Sequence, residues 1–402
     1  MRTEPPRGIV LKYYLYQITL STGFSAPIWV VFLQSRGLTL GEVALLDSIY
    51  SAVILFGETP TGYVSDRIGR RNSLLVSIVL VTASMLAFGL ASSFAVFAVV
   101  YAVWGIGTTF RSGTASAWLY DALKERTDED EYAKISGRGK SLGLIVTAAT
   151  SLLAGVLADY DLFYPFLATA LVSAVGFIVV LTFPETTTAE SDDSGPFTIS
   201  DAIPVVRDQL MSRSLRSFVL YSSAFFGIIA TVDLFVQPAS QQVGVDVESL
   251  GLMYAGFTGV SALTSYFAGD IKDRIGIHRW FLVVPLLLGV LLTTVSLTPF
   301  AVVPMFFLLR AAKTTTRPLR DQYVNDRVAS VGRATLLSAI SMLYSLFLIP
   351  LKVTSGELAD VVGPITTIAV LGGCLVVVVI AIWSWERPVQ DDDSTGSVTG
   401  GS

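Results

Sequence analysis

Long runs of apolar residues, separated by short charged segments, set the pattern along this chain. The runs over 73–90, 163–183, 280–297 and 365–383 contain no charged residue. Each is long enough to cross a bilayer as a helix, which takes about twenty residues. Lipid offers no partners to backbone N–H and C=O groups, so such runs must be helical. The pattern therefore predicts an all-α integral membrane protein.

Twelve membrane-spanning segments are predicted in this way. Their limits are 11–34, 41–62, 73–92, 95–121, 138–158, 163–184, 215–237, 249–270, 280–298, 300–320, 334–357 and 363–385. The longest polar stretch, 185–213, divides six spans from six and has the composition of a solvated linker. The predicted domains are a six-helix bundle over 1–184, this cytoplasmic linker, a second six-helix bundle over 214–386, and a disordered cytoplasmic tail over 387–402.

Basic residues fall almost entirely on one side of the predicted membrane when the N-terminus is placed in the cytoplasm. Loops on that side hold most of the loop arginines and lysines, among them Arg67, Arg70, Arg71, Lys124, Arg126, Lys134, Arg138, Lys272, Arg274, Arg327 and Arg333. The opposite loops hold Arg36 and the acids Asp159, Asp161, Asp246 and Glu248. Cytoplasmic loops carry the excess of Lys and Arg, so we expect a multi-pass protein of the cell membrane with both termini inside.

The composition of the chain excludes several classes of protein and of site. Charged residues make up 15% of the chain and hydrophobic residues 52%, which leaves too few charges to cover a water-facing surface. The single cysteine, Cys374, excludes an internal disulfide and a thiolate metal cluster. Without a nucleotide-binding glycine loop, metal-ligand spacing or nucleophile elbow, we expect no enzyme activity, no cofactor, no metal site and no nucleic-acid partner. The expected partners are the lipid bilayer and a small organic solute, and the expected state is a monomer.

Three charged or glycine-containing motifs occur twice. GYVSDRIGRR begins at Gly62 and GDIKDRIGIHR at Gly269, each between the second and third predicted spans of its half. GVLAD from Gly155 and GELAD from Gly356 close the fifth span of each half, and GRGKSLG and GRATLLS open it. Two parallel six-span repeats with sites at their interface form a recurring plan for transporters.

The first of these motifs resembles the signature loop of the major facilitator superfamily, Gly-x-x-x-Asp-Arg-x-Gly-Arg-Arg/Lys. GETPTGYVSDRIGRR, SGTASAWLYD and VGRATLLS resemble a subgroup of prokaryotic facilitators often described as drug exporters. The resemblance implies two six-helix bundles around a cavity that opens alternately to each side. Two features depart from proton-antiport exporters: span five has no proline, and Tyr101 stands where an arginine is expected.

By the same analogy, the repeated charged turn acts as a conformational latch on the cytoplasmic side. Asp66 would face the positive N-terminus of span eleven near Arg333, while Arg67 and Arg70 would pair with Asp121. The members of the predicted latch are Gly62, Asp66, Arg67, Gly69, Arg70, Arg71, Asp121, Asp273 and Arg274. Gly62 and Gly69 are expected to allow tight backbone geometry. The alternative interpretation is a turn that only sets the topology.

Ionisable and polar groups inside predicted spans are candidates for a cavity or for coupling, because charges in a membrane are costly. The candidates are Tyr16, Gln17, Asp47, Glu58, Trp104, Arg111, Asp233, Arg310, Lys313, Tyr344 and Lys352. Asp47 or Asp233 would suit a coupling proton, whereas the cations Arg310, Lys313 and Lys352 would suit an anionic solute. Charge pairing within the bundle is the alternative for the ionisable candidates.

These features favour proton-coupled export of an amphipathic organic solute by alternating access. The second hypothesis is uptake or exchange of an anionic metabolite. A facilitator-like sensor that binds without transport is a third. A lipid-modifying membrane enzyme is a fourth, and the lone histidine, His278, disfavours it.

Overall fold

The structure is a computed structural model that describes residues 7–124, 129–185, 213–327, 333–386 and 388–389. In these segments helices follow one another with short turns, which confirms the predicted all-α fold. The helices are α1 (Arg7–Thr19), α2 (Trp29–Ser35), α3 (Leu40–Ile68), α4 (Arg70–Leu90), α5 (Phe94–Arg111), α6 (Thr114–Leu123), α7 (Glu129–Tyr160), α8 (Tyr164–Leu181), α9 (Arg213–Gln242), α10 (Val247–Tyr266), α11 (Ala268–Ile275), α12 (Ile277–Thr294), α13 (Val302–Arg327), α14 (Arg333–Val362) and α15 (Pro364–Trp385). The predicted linker and tail lie almost entirely outside the described residues.

Eight helical segments among the described residues are long and apolar enough to cross a membrane. They are Leu40–Ile68, Arg70–Leu90, Phe94–Leu123, Glu131–Tyr160, Tyr164–Leu181, Arg216–Gln242, Ile277–Thr294 and Pro364–Trp385. At three further predicted spans, α10, α13 and α14 are also long helices. A multi-pass membrane protein follows from the eight segments, and the count of twelve stays a prediction.

The first predicted span, 11–34, is not one helix. After α1 the chain turns through Ser21 to Ile28, and α2 begins at Trp29. Pro27 disfavours a helical residue before it, and hydroxyl side chains offer the backbone competing hydrogen bonds. The turn packs closely on α7, because a Cβ on Gly23 would overlap the carbonyl oxygen of Thr147. The first predicted span therefore consists of two helices with a turn between them.

The described chain falls into two compact units. Unit 1 comprises Met1–Phe197 together with Ser240–Gly259 and Lys352–Asp360. Within it α3 packs along α5, α4 packs along α5 and α8, and α1 packs against α7 and α8. Its core is aromatic: the Phe88 and Phe166 rings stack with centroids 4.6 Å apart, and the Trp118 and Phe183 rings stack at 3.7 Å.

Unit 2 comprises Thr198–Ala239, Val260–Leu351 and Val361–Ser402. Its helix α12 packs along α15, where glycines allow the backbones to approach closely. A Cβ on Gly289 would come within 3.1 Å of the carbonyl oxygen of Gly372. Small residues commonly permit such close contacts between membrane helices.

The repeated charged motif forms the same junction in both halves. Helix α3 continues through Asp66 and Arg67 to Ile68, and α4 begins two residues later. The single residue between them, Gly69, has φ 85° and ψ 157°. In the second copy Gly276, with φ 79° and ψ 149°, separates α11 from α12 in the same way. What the sequence suggested as a charged turn is a one-residue break between two helices.

Gly62 does not share this role. It lies inside α3, and a Cβ added there would meet no other atom within 4 Å. The expected need for glycine geometry at Gly62 is therefore wrong, because the helix simply runs through this position.

The glycine junction predicts opposite effects for two alanine substitutions. The backbone of Gly69 lies close to a region that only glycine occupies readily, so Gly69→Ala should cost about 1–3 kcal/mol of stability. Gly62→Ala should be neutral or stabilising by up to about 1 kcal/mol, since alanine has the higher helix propensity. Thermal unfolding of the detergent-solubilised full chain measures both. Equal melting temperatures for the two variants would contradict the strained junction.

Candidate functional site

A buried ion pair joins α3 to the last turns of α14. The Lys352 ammonium lies 2.5 Å from Oδ2 of Asp47 and donates a second hydrogen bond, 3.1 Å long, to the hydroxyl of Ser51. Lys352 is only 6% exposed. A buried lysine requires a charged partner. The charge pairing that was the alternative to a cavity role is therefore present for Asp47 and Lys352.

Two further contacts hold the same helices together. Asp360 accepts backbone hydrogen bonds from Leu40 at 2.7 Å and from Gly41 at 2.9 Å. These N–H groups belong to the first turn of α3, where helical partners are missing and negative charge is favourable. Gly356 packs so closely that a Cβ would lie 2.8 Å from the carbonyl oxygen of Leu40. We call the Asp47–Lys352 pair, the Gly356 contact and the Asp360 hydrogen bonds the α3–α14 clamp.

The other copy of the GxLAD motif makes a related contact without the carboxylate. A Cβ on Gly155 of α7 would overlap the backbone of Glu248, and one on Gly251 of α10 would overlap the carbonyl oxygen of Ser151. Both copies thus place a glycine against the beginning of another helix. Asp159, the counterpart of Asp360 in sequence, is exposed.

A cavity of about 160 Å³ adjoins the ion pair within unit 1. Its wall is mainly aromatic with a few polar groups, and its lining residues are Thr22, Ser25, Ala26, Trp29, Asp47, Met85, Phe88, Tyr101, Trp104 and Phe166. The Trp104 ring also packs on Tyr50, with centroids 4.6 Å apart. The cavity therefore combines one carboxylate with several aromatic faces.

A second charge cluster lies in unit 2. One carboxylate oxygen of Asp233 is 3.3 Å from Nη2 of Arg310, and the other is 2.7 Å from Nζ of Lys313. Arg310 and Lys313 are three residues apart on α13, so they project from one face of that helix. These three charges carry one net positive charge.

The described ion pairs of the first charged motif lie within unit 1. Arg70 lies 3.2 Å from Asp66 and 3.7 Å from Asp121, and Arg71 lies 3.2 Å from Glu185. Arg67 instead packs on its neighbour along α3, with its guanidinium 4.3 Å from the ring centroid of Tyr63.

The remaining contacts of the predicted latch are not tested by the described residues. The side chain of Arg333 lies outside the described ones, so the predicted contact of Asp66 near it stays a prediction. The second copy's Asp273 and Arg274 are exposed on α11.

The other candidates lie apart from the cavity. Tyr16 is wholly buried and packs edge-on against Phe183, 5.8 Å between centroids. The backbone carbonyl oxygen of Gln17 would lie 3.2 Å from a Cβ on Gly143 of α7. Glu58 accepts a 3.4 Å hydrogen bond from Ser112, the residue after Arg111. In unit 2 the hydroxyl of Tyr344 donates to the carbonyl oxygen of Phe226 at 3.3 Å.

Sequence reasoning missed three contributors to the site. Ser51 gave no signal beyond its place one turn after Asp47 on the same helix. Asp360 was visible only as the last letter of a repeated motif. Tyr101 was noted as a departure from a family pattern, yet it lines the cavity and is completely buried.

The sequence matches a known family over most of its length. Residues 17–335 fit the family model described as Major Facilitator Superfamily. The uncharacterised MFS-type transporter YxaM of Bacillus subtilis is 23% identical over 251 residues, which cover 61% of this chain and 62% of that protein. A putative metabolite transport protein of Haemophilus influenzae is 24% identical over 262 residues, covering 58% and 59%. The chain therefore aligns with less than two thirds of either relative.

Solved structures share the fold at low sequence identity. A mutant of the nucleoside transporter NupG superposes with a TM-score of 0.80 and 12% identity, covering 94% of this chain and 98% of that chain. A D-xylose-proton symporter superposes with a TM-score of 0.70 and 14% identity, covering 94% and 97%. Similarity at this level establishes a common fold.

The α3–α14 clamp predicts that the charge of Asp360 holds two helix ends together. Asp360→Asn removes the negative charge at the start of α3, an interaction worth about 0.3–1 kcal/mol, and should loosen the contact. Spin labels at Leu45→Cys and Glu357→Cys, in a Cys374→Ser background, should show less dipolar broadening in this variant. Asp159→Asn, which changes an exposed acid of the same motif, is the matched control. Unchanged broadening in Asp360→Asn would contradict the clamp.

Proposed function

Because the chain belongs to the Major Facilitator Superfamily, we propose that it is a secondary transporter that exports a small amphipathic organic solute in exchange for protons. The observation that carries this proposal is the Asp47–Lys352 pair at the wall of an aromatic cavity. Family membership supports transport, and the site supports the coupling and the class of solute.

The ion pair offers a simple coupling device. A proton on Asp47 removes the negative charge with which Lys352 is paired, so a bound proton and an intact pair exclude one another. The pair belongs to the α3–α14 clamp, which holds the start of α3 against the end of α14. Proton binding would therefore favour the open clamp, and reformation of the pair would release the proton. Both events would then act through one contact, which couples them energetically.

The wall of the cavity supports an amphipathic solute. Phe88, Tyr101, Trp104 and Phe166 supply apolar surface, while Asp47 supplies one charge. Ligand sites commonly combine a mostly apolar lining with a few oriented polar groups. A small inorganic ion would gain little from such aromatic faces.

The direction of transport and the topology complete the proposal. The excess of basic residues in alternate loops supports twelve spans in the cell membrane with both termini in the cytoplasm. Export fits Asp47 and Asp360, which lie toward the predicted outer ends of their helices, where external protons would arrive. The chain would act as a monomer, with two six-helix bundles moving about the bound solute as the family resemblance implies.

One observation favours the second candidate function, uptake or exchange of an anionic metabolite. Asp233 is flanked by both Arg310 and Lys313, so two cationic groups lie around one acid in unit 2. An anionic group of a solute would be attracted to these two cationic groups. A cationic or neutral solute has no such use for the cluster, so binding experiments with both charge classes separate the two candidates.

Reconstituted vesicles test the proposed coupling. A thermal-shift screen of the purified full chain against matched organic cations and anions identifies a ligand, since a ligand of the folded state raises its apparent stability. Asp47→Asn should then abolish pH-gradient-driven flux of that compound while equilibrium exchange continues. Asp233→Asn, applied in parallel, tests the other acid.

Three outcomes of the flux experiment contradict parts of the proposal. Undiminished gradient-driven flux in both variants would exclude these acids as proton carriers. Stabilisation and flux with anions alone would establish the second candidate function. Binding of a ligand without flux under either gradient direction would identify a sensor.

The charged motif at Gly69 is proposed to act as the cytoplasmic latch. Asp66 pairs with Arg70 and is proposed to face the N-terminus of α14 near Arg333, so Asp66→Asn removes the charge that would hold this side closed. Spin labels at Lys124→Cys and Arg279→Cys in a Cys374→Ser background should show a shift toward longer distances, with a coupling of about 1–3 kcal/mol. An unchanged distance distribution would leave the motif a role in topology alone.

A further inference from the structure

The cavity in unit 1 has the size of a small head group. Its volume is about 160 Å³, and an engineered protein cavity of about 150 Å³ is known to hold benzene. A group of about six or seven non-hydrogen atoms therefore fills this space, so a larger solute would place only one end there.

The wall of the cavity selects for positive charge. Trp29, Tyr101 and Trp104 contribute aromatic rings, whose faces attract cations, and Asp47 contributes a carboxylate. None of the described lining residues is basic. Such rings attract a desolvated cation, whereas an anionic group would be repelled by Asp47 once Lys352 withdraws.

The hydroxyl of Tyr101 indicates that a ligand of this cavity also carries a polar atom. Tyr101 is completely buried, lines the cavity and has no hydrogen-bond partner for its hydroxyl among the described residues. Buried hydroxyl groups in native proteins nearly always have a partner. A hydroxyl or carbonyl group of a bound ligand would supply one, and Ser25 adds a second polar group to the wall.

We infer that this cavity is the subsite for an alkylammonium head group, and that this head group competes with Lys352 for Asp47. The inference rests on the proposed function and specifies its solute as an organic cation. Lys352 already presents an ammonium group to Asp47, 2.5 Å from Oδ2, but it is not part of the cavity wall. A ligand ammonium in the cavity approaches the same carboxylate from another side.

This competition links the solute to the α3–α14 clamp. A ligand shifts an equilibrium only when it binds one state better than the other. With the clamp closed, Lys352 neutralises Asp47, and a second cation gains little there. Once Lys352 withdraws, the whole charge of Asp47 is available, so an alkylammonium ligand favours the open clamp.

Choline is a suitable probe because it carries a compact trimethylammonium group and one hydroxyl. Two compounds of similar shape are the matched controls. One is 3,3-dimethylbutan-1-ol, the uncharged isostere with carbon in place of nitrogen, and the other is the anion 3,3-dimethylbutanoate. Binding to the purified full chain in detergent is measured with radiolabelled choline, and the other two compounds serve as competitors. We expect choline to bind, and both competitors to be weaker by about tenfold or more, a difference of about 1.4 kcal/mol.

Substitutions on the two sides of the ion pair should act with opposite sign. Asp47→Asn should abolish choline binding, whereas Lys352→Met should strengthen it several-fold because the competing ammonium is gone. Lys352→Gln keeps hydrogen-bonding capacity toward Asp47 and Ser51, and serves if the methionine variant does not fold. Trp104→Leu should weaken binding through the loss of one aromatic face. Asp246→Asn, which removes an exposed acid, should leave binding unchanged.

The outcomes separate this inference from the proposed function. Weaker choline binding in both lysine variants, stronger binding of the carboxylate than of choline, or no choline binding at all would overturn the alkylammonium subsite. Proton-coupled flux of a different solute would then leave the proposed function intact. Conversely, choline binding with the expected signs but without flux in vesicles would uphold the subsite and count against transport.

Discussion

A charge inside a helical membrane protein must be neutralised by another charge, and this requirement organises the described structure. Lys352 is held by Asp47 and Ser51, and Asp233 is held by Arg310 and Lys313. Leaving one such partner buried alone costs several kcal/mol. Each pair therefore restricts which helices can lie next to one another, and each is a place where a proton or a charged solute can change the structure.

The Asp47–Lys352 pair lies beside close contacts between α3 and α14, so it can influence how these helices are held together. Gly356 brings the backbone of α14 against the first turn of α3, and Asp360 satisfies the N–H groups that the turn leaves open. The ion pair, the glycine contact and the carboxylate cap lie within nine residues of α14, from Lys352 to Asp360. A change in the charge of Asp47 acts on the same segment that holds α3.

The internal repeats show how one motif acquires two uses. Gly69 and Gly276 have nearly the same backbone angles, so the helix break is retained in both halves. The charges have diverged: Arg70 pairs with Asp66 and Asp121 in the first copy, while Ile277 occupies the matching position in the second. Among the GxLAD motifs, Asp360 caps α3, whereas Gly155 of the other copy packs on the backbone of Glu248. The backbone geometry is thus repeated in both halves, whereas the Arg70 ion pairs and the Asp360 cap are each described in one half only.

The sequence by itself determined the helical class, most helix positions and the internal repeat, because lipid forces apolar runs of this length to satisfy their backbones as helices. It also determined which side chains are costly enough to matter, such as Asp47, Asp233 and Lys352. Pro27 is the sequence signal for the break between α1 and α2, although the length of the turn does not follow from the apolar run around it. Only the tertiary structure decided that Lys352 meets Asp47 rather than another acid, and that Asp360 caps α3. Those contacts join residues about three hundred positions apart, and no pattern within one span encodes which distant helix will lie beside it.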